Sequence, residues 1–161
     1  MKYIQLQLIF LSLEILYLGG QRVNLQIKCR KFGYEMQTLR SATKCLHWNR
    51  DNVTFTEAKE HCEANGGFLA TFKTEDEVAL ATTSKIWHFW VGLDDMQSQG
   101  MYRWHDDGTI AQNVKDIFKF QEMTRRPISA DCASFMPSFS SHVLTFCDTK
   151  AGFVCEIRAA S

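Results

Sequence analysis

The chain has 161 residues, a length that fits one domain with a short leader or tail. Hydrophobic residues make up 45% and charged residues 22%, with 12 Phe and 4 Trp, a balance that excludes a disordered chain and supplies aromatic bulk for a real core. Lys plus Arg and Asp plus Glu stand at 18 each, so the net charge is zero. With no long basic run, nothing favours phosphate backbones or anionic lipid, and nucleic acid is not an expected partner.

The first residues read as a targeting segment. Met1-Lys2 gives a positive start, Leu6 to Leu18 is mostly apolar, and Gly19-Gly20 supplies small residues where a peptidase cuts. The rival is a type II membrane anchor, but the stretch is shorter than the ~20 residues of a spanning helix and includes Gln7 and Glu14. The expectation is a signal peptide over 1–20 and a secreted, extracellular domain over 21–161 with no membrane span after leader removal. All six cysteines, Cys29, Cys45, Cys62, Cys132, Cys147 and Cys155, follow the leader. An even count there points to bridges formed in an oxidising compartment, and no C-x-x-C pair offers zinc a site. Asn52-Val53-Thr54 makes Asn52 a glycosylation acceptor in an exported chain.

Thr54-Phe55-Thr56-Glu57 is a capping-box pattern, with a hydroxyl for an orphan N–H and a carboxylate three residues on. Phe55, Ala58 and Cys62 then share one helix face, and Asn65-Gly66-Gly67 ends the helix. A second helix starts at Thr74-Glu75-Asp76-Glu77 and runs through Val78, Leu80 and Ala81. Strands are expected over Trp87–Leu93, Tyr102–Trp104, Cys132–Met136, His142–Cys147 and Phe153–Arg158, with turns at Asp106-Asp107-Gly108 and Asp148–Gly152. A helical first half followed by a strand-rich second half gives an α+β fold. Trp87, Trp90 and Trp104 are expected in the core.

Between Trp104 and Cys132 only Val114 to Phe120 shows an apolar pattern. Loops longer than about 12–15 residues in a compact domain are usually functional or disordered. This one is expected to fold as part of a binding face. Its Phe118 and Phe120, like Phe139 further on, are either core fillers or exposed anchors for a partner. Arg125-Arg126 is either solvated or holds a carboxylate or sulfate by bidentate hydrogen bonds. His47, His61, His88, His105 and His142 are scattered without metal or nucleophile spacing, and there is no phosphate loop or G-x-S-x-G, so an enzyme is not expected.

Several blocks in order resemble the C-type lectin-like domain family. They are Lys44-Cys45-Leu46, Glu57-Ala58 leading to Cys62, Gly66-Gly67-Phe68-Leu69-Ala70, Trp90-Val91-Gly92-Leu93, Asp131-Cys132, Cys147 and Phe153-Val154-Cys155-Glu156. The resemblance covers roughly Cys29 to Arg158. It implies two helices flanking small antiparallel sheets, a long-loop region, and bridges Cys62–Cys155 and Cys132–Cys147. Cys29–Cys45 resembles the N-terminal hairpin bridge of longer members; the wide spacing leaves Cys29 the alternative of bonding another chain as a homodimer.

Sugar-binding members of that family hold calcium, which takes six to eight oxygen ligands. The resemblance places those oxygens in a Glu-Pro-Asn or Gln-Pro-Asp triplet, a Glu before the inner cysteine and a Trp-Asn-Asp run. Here the corresponding residues are Arg126-Pro127-Ile128, Ala130 and His142-Val143-Leu144. No cofactor is therefore expected, the alternative being a displaced calcium site among Asp106, Asp107, Asp116 and Asp131. The implied function is recognition of an extracellular glycan or protein through Phe118, Phe120, Arg125, Arg126, Asp131 and His142. The alternative is a structural extracellular-matrix component acting through protein contacts.

Overall fold

The computed structural model describes residues 19–20, 23–31, 33–118 and 132–158. A helix over 23–31 (α1) leads into a hairpin of β1 (Glu35–Thr38) and β2 (Thr43–Val53). Helix α2 (Phe55–Ala64), β3 (Phe68–Leu69) and helix α3 (Glu75–Thr82) follow. Then come β4 (Phe89–Asp94), β5 (Arg103–Trp104), the short α4 (Val114–Ile117), β6 (Cys132–Met136), a 3-10 turn (Pro137–Phe139), β7 (Ser141–Thr145) and β8 (Ala151–Ile157). The fold is α+β, and both expected helices form. The division into a helical half and a strand half does not hold, because β1 and the long β2 precede α2. β2 carries Arg50-Asp51-Asn52 at its exposed end, which hides the apolar alternation of a strand.

The strands join in the order β1-β2-β8-β4-β6-β7, with β3 on β8 and β5 on β4. β4 runs parallel to β8, whereas the other pairings are antiparallel. β4 lies at the centre and is buried along its whole length. Phe89, Val91 and Leu93 enter one apolar cluster with Phe72, Trp104, Tyr102 and Phe135. Trp90 enters the other with Phe55, Cys62, Phe153 and Cys155. Alternating side chains feed two layers, and hence the strand reads as an uninterrupted apolar run. Gly92 sits where a Cβ would come within 2.2 Å of the Leu69 carbonyl oxygen, so only glycine lets β3 approach β4 there.

Both helix starts are chemically sealed. Thr54 accepts from the Glu57 N–H at 3.4 Å, and Glu57 accepts the Thr54 N–H at 2.8 Å. At α3, Glu77 Oε2 accepts the N–H groups of Lys73 and Thr74 at 2.6 and 3.1 Å. Three disulfides close the domain: Cys29–Cys45, Cys62–Cys155 and Cys132–Cys147. Cys29 is thus committed inside the chain, which corrects the option of an interchain bond. Helix α1 is anchored by the same bridge, with Leu25 and Cys29 buried one turn apart.

Two aromatic expectations need correction. Trp87 is 74% exposed, because it precedes the first residue of β4. Phe118, offered as an anchor or core filler, is core: its ring is buried 5.1 Å from Tyr102.

Candidate ligand cleft between the third helix and the long-loop segment

The segment Phe72-Lys73-Thr74 enters α3 beside the end of β5. Trp104 on β5 pairs with Leu93, and its ring lies under the Lys73 ammonium at 5.3 Å. That ammonium is also held by Asp106 at 2.8 Å and Asp107 at 2.7 Å. Asp106 meets Arg158 at 2.7 Å on its other oxygen. Burial alone would raise the Asp107 carboxyl, but hydrogen bonds from Lys73 and Thr109 outweigh it and hold the group below the usual carboxylate range.

α4 forms the opposite wall. It begins after Asn113, which adopts a left-handed conformation with φ +53°, and its Ile117 carbonyl accepts the Ser141 hydroxyl at 3.2 Å. That bond ties α4 to the start of β7. His142 follows and packs edge-on against Phe135 at 5.3 Å and Trp104 at 5.9 Å. Burial depresses the imidazole to about 4, so it is neutral near pH 7. Its Nε2 is buried without a hydrogen-bond partner.

These pieces enclose a cleft of about 370 Å³. Phe72, Val78, Trp104 and Ile117 supply apolar wall; Glu75, Asn113, Asp116 and Ser140 supply the polar rim; His142 closes the inner side. Of the residues expected to bind ligand, His142 lies here and Phe118 lies in the core. Phe120, Arg125, Arg126 and Asp131 lie outside the described residues. Phe139 is half exposed on the 3-10 turn. Lys73 and Asn113 carried no motif that would single them out, and Glu75 stood only in the helix-start pattern at Thr74. The only sequence hint was the αL-tolerant Asn113 in a segment without pattern.

Of the positions where the resemblance puts calcium ligands, only His142, Val143 and Leu144 are among the described residues. Val143 and Leu144 are buried hydrocarbon on β7 and offer no oxygen. In the displaced set, Asp106 and Asp107 are already spent on Lys73 and Arg158. No group of three or more metal-ligating side chains occurs among the described residues.

A separate buried ion cluster braces the hairpin. Lys44 is fully buried and meets Glu77 at 2.9 Å and Glu156 at 3.1 Å, with the Thr71 carbonyl as a further acceptor. Such pairs carry a desolvation cost, but losing one partner strands a buried charge, at about 3–5 kcal/mol. The cluster fixes β2, β8 and α3 relative to one another, and thereby the α3 wall of the cleft.

Residues 51–157 match the family model for the lectin C-type domain. C-type lectin domain family 1 member B of Homo sapiens is 28% identical over 115 residues, which is 71% of this chain and 47% of that protein. The NKG2-D type II integral membrane protein of Homo sapiens is 24% identical over 115 residues, 71% of this chain and 49% of that protein. The chain thus spans about half the length of the curated relatives it matches. The mouse scavenger receptor C-type lectin carbohydrate-recognition domain shares the fold, with a TM-score of 0.64 and 20% identity over 78% of this chain and 95% of that one. With the family model covering most of its described core, this chain belongs to the C-type lectin domain family.

Proposed function

We propose that the chain is a secreted, non-catalytic recognition module that binds a glycan or protein ligand on the face containing the Trp104–His142 cleft, without the family's calcium site. The carrying observation is the pairing of a formed cleft with hydrocarbon at Val143 and Leu144, where calcium ligands would stand. The arrangement of the other polar groups supports a non-catalytic role. His88 Nε2 shares a 2.7 Å hydrogen bond with Ser134, but that serine is fully buried and unreachable by substrate. His105 bonds Asp94 at 2.6 Å, yet its ring packs on Phe55 instead of a nucleophile.

A glycan array with and without chelator tests the reading. Binding that survives chelation is expected; binding abolished by chelator overturns it. The second reading is a type II membrane protein anchored through residues 1–18, and the relative whose name carries that topology favours it. No described helix is long and apolar enough to cross a membrane. N-terminal sequencing of protein from the medium separates the two. A start near Gln21 supports secretion, whereas an intact N-terminus confined to membranes supports the anchor.

A further inference from the structure

We propose that the cleft takes a primary ammonium group on a short aliphatic stem, such as a lysine side chain presented by a partner protein. The inference rests on the reading of this cleft as the ligand site. Its rim carries the Glu75 and Asp116 carboxylates, both exposed, and neither has an ion-pair or side-chain hydrogen-bond partner among the described residues. The one described cation lining the cleft, Lys73, is already shared between Asp106 and Asp107. Among the described residues the uncommitted charge at the mouth is therefore negative and repels carboxylates and sulfates. Behind it, Phe72, Val78, Trp104 and Ile117 offer hydrocarbon to a methylene stem. On the inner wall stands His142, 4% exposed, whose buried Nε2 has no hydrogen-bond partner. An ammonium brings three donors and no acceptor, which matches two carboxylates and a neutral imidazole.

The test is an amide chemical-shift titration of the oxidised full chain with n-butylammonium, n-butanol, butyrate and mannose. Butylammonium is expected to shift the amides of Lys73, Glu75, Asn113, Ser140 and His142 saturably, while butyrate and butanol leave them in place. The double variant Glu75→Gln/Asp116→Asn should bind butylammonium about tenfold more weakly, a loss of about 1.4 kcal/mol, because both rim charges are removed. Both residues are exposed, so the variant keeps the fold and its spectrum elsewhere. A second arm compares N-acetyl-lysine methylamide with cadaverine; tighter binding of the former points to a protein side chain, and tighter binding of the latter overturns that source. Mannose shifting the cleft while butylammonium does not would overturn the ligand class and leave the site standing. No shift with any probe would overturn both.

Discussion

His142 shows how one side chain carries two consequences. An imidazole in the unfolded chain takes its proton near pH 6.5, whereas burial pushes His142 down to about 4. Between those values the unfolded chain binds a proton that the folded chain refuses, so stability falls as pH drops through the window. Below about pH 4 the loss from this group is complete and approaches about 3 kcal/mol. Burial lowers His88 in the same direction. A urea series from about pH 7 to about pH 4.5 should therefore show a falling midpoint. His142→Phe keeps a ring against Trp104 and Phe135 but removes the nitrogen that resists charging, and it should flatten most of that slope. Equal slopes in both proteins would mean that the imidazole is not desolvated. The sequence displayed His142 as an isolated histidine before two aliphatics. Its burial arises from Phe135 and Trp104, which the chain brings from other strands.

At the level of elements, local chemistry was the most readable. The capping boxes at Thr54 and Thr74 placed both helix starts, because the cap and its carboxylate lie three residues apart and need no tertiary partner. Strand ends were less readable. Trp87 has the same aromatic character as Trp90, but one lies outside β4 and is exposed while the other is fully buried. Helix α1 left only Leu25 and Cys29 at helical spacing, too short a signal to compete with the apolar leader before it. The bridges rank by the chain they close. Cys62–Cys155 spans a sequence separation of 93 and ties α2 to β8; Cys132–Cys147 spans 15 and joins β6 to the turn after β7. Loop entropy gives about 4–5 kcal/mol for the longer and ~3 for the shorter. Paired Cys→Ala variants should therefore melt in that order, with loss of Cys62–Cys155 the more damaging. The reverse order in calorimetry would show that local strain, not chain closure, sets their worth.

The cleft belongs to the whole molecule, since α3, β5, α4 and β7 each give it one or two residues and no stretch of sequence contains it. The family resemblance pointed to a long-loop face but not to this cavity, because Lys73, Trp104, Asn113 and His142 meet only after the sheet has formed. Export constrains the opposite kind of feature, one written locally and read before folding. Asn52 is exposed at the end of β2, and its partner Thr54 is the N-cap of α2. No residue of the cleft lies on β2. Chain made through a secretory route should therefore carry a glycan at Asn52, seen as a mass shift that an amidase removes and that Asn52→Gln abolishes. The same variant should keep its butylammonium titration, because the modified surface and the cleft share no side chain. An unmodified Asn52 in protein recovered from the medium would show that the hydroxyl bound to Glu57 is sequestered before the transferase reaches it.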